Sequence, residues 1–178
     1  MPASTPEPAV RFRDVVYRAL NPVWSRAPLS GEGARRFGGR FNAVGTPALY
    51  TSTTPMGAVR EANQIGSAFE PVTLVAFDAD VGPVFDATDA AALALRRIDG
   101  AALASDDWRI RVRETGSSYG QRTAAGLIAA GYAGMLVGSF ARGAPPDAVK
   151  LVLWRWGADL PARLVVMDRE GRLTRPPE

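Results

Sequence analysis

Arg40, Tyr50 and Glu61 follow one another along a single run, residues 29–61, with ten positions from the first to the second and eleven from the second to the third. Arg40 sits among Gly31, Gly33, Gly38, Gly39 and Gly45. An arginine fork together with backbone N–H groups brought close by glycine is the chemistry that grips a pyrophosphate. Tyr50 offers an aromatic face with a polar hydroxyl, and Glu61 offers a carboxylate. Each also has a commoner use: a surface loop with ordinary arginines, a core tyrosine with its hydroxyl outward, a solvated helix glutamate.

These residues need three elements to position them. The glycines predict a loop that wraps a ligand. Leu49-Tyr50-Thr51-Ser52, after Pro47, predicts a short strand. Thr54-Pro55 predicts an N-cap followed by proline at the first helical position, which places Glu61 near the end of the second turn. GEGARRFGGR is not a dinucleotide fingerprint, because that pattern follows a strand and opens a helix. Here the glycines feed a loop and then another strand.

The absences exclude more than the totals do. The 178 residues contain neither His nor Cys, which closes thiol catalysis, Ser-His-Asp chemistry and zinc ligation. No tight carboxylate cluster supports an oxygen-only metal site, so no metal is expected. Lys150 is the only lysine and the only Schiff-base candidate, in a strand-like run. A content of 47% hydrophobic and 22% charged residues is ordinary for a globular chain. Net charge is +3. Arg109, Arg111 and Arg113 would share one face if their segment were a strand; without interleaved aromatics a solvated face is the simpler reading, and no direct nucleic-acid contact is expected. Residues 1–10 lack a basic or apolar signal segment and no stretch has the length of a membrane span, so the location expected is cytoplasmic.

The remaining chain predicts an α+β domain over residues 11–178 behind a loose leader, 1–10. Strands are expected at 11–20, with Arg18 near its end, and at 71–79, with Gly82-Pro83 turning the chain. A helix capped by Thr88 is expected over 89–98. In residues 100–116, Trp108, Ile110 and Val112 could face inward from an extended segment. A helix over 119–130, a buried strand at 133–139 delivering Ser139, a loop at 142–147 and a strand at 149–156 follow. The strand at 149–156 has Leu151, Leu153 and Arg155 on one face and Val152, Trp154 and Trp156 on the other. A last hairpin joins 163–167 to Leu173.

GARRFGGRFN, the strand after Gly45-Thr46-Pro47, and then Ala58 and Glu61 together resemble the RES domain, the toxin of a group of bacterial toxin–antitoxin pairs. The resemblance runs from Tyr17 to about Trp156. It aligns Arg40, Tyr50 and Glu61 with the family's arginine, tyrosine and glutamate, Arg18 with a second arginine, and Ser139, more loosely, with its serine. It implies an ADP-ribosyltransferase-like fold, with two packed, mostly antiparallel sheets around an NAD cleft and flanking helices. One large branch of that superfamily uses a histidine, which this chain lacks, so an arginine-type arrangement is implied.

On this resemblance Glu61 stabilises the oxocarbenium-like ribose left when the nicotinamide bond of NAD breaks. Tyr50 stacks on nicotinamide or holds the ribose, Arg18 and Arg40 bind phosphates, and Arg40, Tyr50 and Ser139 belong to both the catalytic and the NAD-binding set. Implied activities are degradation of NAD by water or phosphate and transfer of ADP-ribose to a protein. The implied partner is an antitoxin with a helix-turn-helix DNA-binding part. Two other readings are a mono-ADP-ribosyltransferase acting on one host protein, and a non-catalytic nucleotide- or nucleic-acid-binding module.

Overall fold

The computed structural model describes residues 6–63, 70–141 and 143–173. Residues 1–5 of the expected leader and Arg142 of the expected loop lie outside them. Besides a 3-10 turn at Pro22–Trp24, the described strands and α-helices, in order, are β1 (Val10–Leu20), α1 (Glu32–Phe37), β2 (Leu49–Ser52), α2 (Pro55–Ala62), β3 (Thr73–Asp86), α3 (Ala90–Leu95), α4 (Gly100–Ala104), α5 (Trp108–Thr115), α6 (Tyr119–Ala129), β4 (Gly134–Gly138), β5 (Val149–Leu153) and β6 (Ala162–Val166).

The strands make one connected sheet in the order β1-β2-β5-β4-β3-β6, and a further pairing of β1 with β3 closes it on itself. All pairs are antiparallel except β3 with β4. This is a mixed α/β fold with helices flanking a sheet.

Gly82-Pro83 does not turn the chain, contrary to the sequence expectation. β3 continues through it, with a shift of register against β1, and changes partner on its other edge there. Residues Phe77–Val81 pair with β6, whereas Val84–Asp86 pair with β4. Proline lacks the N–H a continuous ladder needs, and a partner switch is where that loss is tolerated. The Gly82 N–H is satisfied by Pro161 O at 2.8 Å, and Pro83 O accepts from Ala133 N at 2.8 Å.

Alternation along the strands sorts their side chains into two cores. Val16, Leu49, Phe77, Val81, Leu151, Leu153 and Leu164 fill one. Phe41, Phe85, Met135, Val137, Val152 and Trp154 fill the other, together with Leu103 from α4 and Leu127 from α6. Burying each such large side chain contributes roughly 1.5–3 kcal/mol. The two faces expected of 149–156 hold up to Trp154. There the strand has ended, and Trp156 packs against the first core instead.

Three other expectations change. Residues 100–116 form two short helices, not an extended segment, and Ile110 is exposed. Their starts carry Asp99 and Asp107, and the Asp99 carboxylate accepts from Ala101 and Ala102 N–H groups. In a helix Arg109 and Arg113 lie one turn apart with Arg111 turned away, so the three arginines share no face. The cap of α3 is Asp89; the Thr88 hydroxyl donates to Asp86 instead. The last hairpin is replaced by pairing of β6 with β3, while the Asp168 carboxylate accepts from Arg172 and Leu173 N–H groups in a tight turn.

Candidate functional site

The glycine loop after α1 is pinned from four sides. Asn42, buried, donates through Nδ2 to Ala34 O and Thr46 O, each at 2.8 Å. The Tyr50 hydroxyl, on β2, donates to Asn42 Oδ1 at 2.7 Å and accepts from Phe41 N at 3.0 Å. Trp154 Nε1 donates to Phe41 O at 2.9 Å. Gln121 closes the capping box of α6 with Ser118, and its Nε2 donates to Gly39 O at 2.9 Å and Asn42 O at 3.2 Å. A Cβ at Gly39 would stand 2.5 Å from the Tyr50 hydroxyl, so the close approach there demands glycine.

Beside this loop lies a cavity of about 320 Å³ whose walls include Arg18, Arg40, Tyr50, Glu61, Trp108 and Lys150. Four of the five site residues read from the sequence therefore line one hollow. The fifth, Ser139, follows β4 and donates its hydroxyl to Glu61 Oε1 at 2.5 Å. The register explains the convergence: β5 lies between β2 and β4, with Lys150 opposite both Ser52 and Val137. Helix α2 packs against β1 and β2 and carries Glu61 in its last turn. It starts as expected, at Thr54, whose hydroxyl accepts from Gly57 N at 3.1 Å, with Pro55 next.

Among the described residues, the cavity has one carboxylate, Glu61, among several cations. Lys150 Nζ is 3.2 Å from Glu61 Oε1. Burial lowers the Lys150 ammonium below its ordinary value, and attraction to Glu61 opposes that. Arg18 donates to Pro28 O and Ser30 O at 2.9 and 3.0 Å, and burial pulls its guanidinium down to about 10, still charged at neutral pH. Burial pushes the Tyr50 hydroxyl well up, with the contact to Phe41 N–H and the nearby Arg40 charge opposing.

The Arg40 guanidinium is turned toward the connection between α4 and α5. It donates to Leu103 O and Ser105 O at 3.3 and 2.9 Å, and meets Asp106 at 3.2 Å. Its carbon also lies 4.7 Å from the centre of the Phe140 ring. Asp106 is exposed, and an ion pair with so wet a partner contributes little, so that contact is readily exchanged for another anion.

No pattern in the sequence places Lys150, Trp108, Arg109 or Phe140 at the site. Only Lys150 left a signal, as a lone lysine inside an apolar run. Trp108 and Arg109 reach the cavity because their segment is a helix. Among the described residues, no three of His, Cys, Asp and Glu cluster to hold a metal ion, and no helix is long and apolar enough to cross a membrane.

Comparison with curated protein sequences gives no match. Among solved structures, a chain of the M. tuberculosis MbcT–MbcA toxin–antitoxin complex is similar, with a TM-score of 0.63 and 24% identity over 90% of this chain and 84% of that one. At that identity the likeness is one of fold. The model of the RES domain matches residues 15–176, nearly the whole sequence, a span within which all five candidate residues fall. The chain belongs to the RES domain family.

Proposed function

We propose that this protein is the toxin of a bacterial toxin–antitoxin pair and an enzyme that consumes NAD by breaking its nicotinamide–ribose bond. The observation that carries this reading is the Glu61 carboxylate, which lines the cavity and is held there by Ser139 and Lys150. In the proposed reaction the C–N bond to nicotinamide breaks, its electron pair leaves with nicotinamide, and the ribose becomes oxocarbenium-like. Glu61 accepts a hydrogen bond from the ribose 2′-OH and stabilises that charge most strongly at the transition state. An acceptor oxygen or nitrogen then closes on C1′ and releases its proton to solvent.

The other residues bind and orient. Arg18 supplies charge for a pyrophosphate, and Arg40 can exchange Asp106 for a phosphate. The ring of Tyr50 stacks against nicotinamide or the ribose. Its hydroxyl is engaged with the loop and has no part in proton transfer. We read the closed sheet and its helices as ADP-ribosyltransferase-like, with this cavity as the NAD cleft. A cognate antitoxin with a helix-turn-helix part is the proposed partner, by analogy with the complex in which the structural neighbour was solved.

Purified protein incubated with NAD should release nicotinamide. The mass of the second product identifies the acceptor as water, phosphate or a protein side chain. No release, with candidate acceptor proteins present, would leave a nucleotide-binding module as the better reading.

A further inference from the structure

We propose that Lys150 is a positioning residue for this reaction, a buried ammonium that locks the Glu61 side chain in its reactive orientation. The inference rests on the function proposed above and adds a residue to it. Lys150 is the only lysine in 178 residues, and it lies in the middle of the sheet between Val149 and Leu151. A buried ammonium is disfavoured there unless it is paired. A methionine would fill the same space without that cost. The sequence keeps a charge where packing asks for none.

That charge has a defined neighbour. Lys150 Nζ and the Ser139 hydroxyl converge on the same oxygen, Glu61 Oε1, at 3.2 and 2.5 Å. Both come from the sheet, Lys150 on β5 and Ser139 just after β4, whereas Glu61 comes from the last turn of α2. A glutamate at a helix end has several rotamers open to it, and two contacts from a rigid sheet select one. The Phe140 ring, 5.3 Å from Nζ, covers the ammonium. The other charges facing the ammonium are Glu61 from α2 and Arg40 from the loop, with Arg18 from β1 and Arg109 from α5 on the same walls. Because Arg40 repels Lys150, pairing with Glu61 is its favourable interaction among these. The ammonium's charge opposes the developing cation, so its benefit comes through the aim of Glu61.

A double-mutant cycle tests this. Lys150→Met should lower kcat about tenfold to a hundredfold with KM changed less than threefold. In the Glu61→Gln background the same substitution should change kcat less than threefold. Equal losses in both backgrounds, or a loss confined to KM, would overturn the positioning role. Lys150→Gln, which keeps a donor without the charge, serves as the second variant, and circular dichroism checks folding of each.

A second readout does not need turnover. With lysine labelled at its side-chain nitrogen the protein gives a single Nζ signal, whose pH titration reports Lys150 directly. Glu61→Gln removes the attraction that opposes burial, so the titration midpoint should fall; an unchanged midpoint would overturn the pairing. Wild-type protein that releases no nicotinamide removes the proposed function, and the catalytic role of Lys150 with it. An active wild type with no coupling between Lys150 and Glu61 removes the Lys150 assignment alone.

Discussion

The Tyr50 hydroxyl bridges Asn42 and the Phe41 N–H of the glycine loop, while its ring lines the cavity. Removing that hydroxyl should therefore loosen the loop. Tyr50→Phe leaves a backbone donor without its partner and should cost about 1–3 kcal/mol of stability, read from denaturant unfolding. Its pH dependence gives a second check. The folded hydroxyl has a raised pKa, so its stabilisation is complete below the unfolded value near 10. Above that pH the unfolded chain releases the proton while the folded one keeps it, and stability falls. Wild-type protein should lose stability more steeply than Tyr50→Phe above about pH 10. Glu61→Gln is the sharper test of the chemistry. Turnover should fall by about 10²–10³, as on losing one preorganised electrostatic group, with NAD affinity changed far less. A folded variant with near-normal nicotinamide release would remove Glu61 from the mechanism.

At the scale of elements, α2 and the glycine loop determine whether the site assembles. Gly57 lies where α2 meets β2, and a Cβ there would collide with the Ser52 side chain and come within 2.8 Å of the capping oxygen of Thr54. Gly57→Ala should therefore push the helix off the strand, costing roughly 1–3 kcal/mol and moving Glu61 with it. Turnover at a temperature where the variant is still folded should fall well below that of wild type. Gln121 offers the matching test on the other side. It holds two loop carbonyls and the cap of α6. Gln121→Ala should lower thermal stability and weaken NAD binding, although Gln121 is not among the residues lining the cavity. Both tests separate residues that build the site from residues that contact the substrate.

For the whole molecule, the proposed chemistry calls on carboxylate, guanidinium, ammonium, hydroxyl and aromatic groups and on no metal ion. Nicotinamide release should therefore be unchanged by chelator; a loss that Mg²⁺ restores would overturn the metal-free mechanism. Expression of the chain alone should slow bacterial growth, and co-expression of the proposed antitoxin should relieve that. Growth unaffected by active, folded protein would count against the toxin reading.

Much of the site was legible because its residues sit close in sequence. The loop, β2 and α2 are consecutive, so the spacing of Arg40, Tyr50 and Glu61, the Thr54 cap and Pro55 could be read from local rules. Alternation likewise revealed β5, since residues on a strand sort by face whatever surrounds them. The helices at 100–116 were not legible: a segment such as Trp108-Arg109-Ile110-Arg111-Val112-Arg113 suits strand alternation, and only its place against the rest of the fold makes it helical.

What the sequence determined by itself is the chemical inventory and the local order of the first motif: no thiol, no imidazole, and Arg40, Tyr50 and Glu61 in series. Tertiary structure decided which groups meet. Ser139 and Lys150 are far from Glu61 along the chain and reach it only because β4, β5 and β2 pair side by side. It also decided that the Tyr50 hydroxyl serves the loop and that Arg40 turns toward α4. Such contacts depend on strand order and register, set by burial summed over both cores, and no local pattern encodes them.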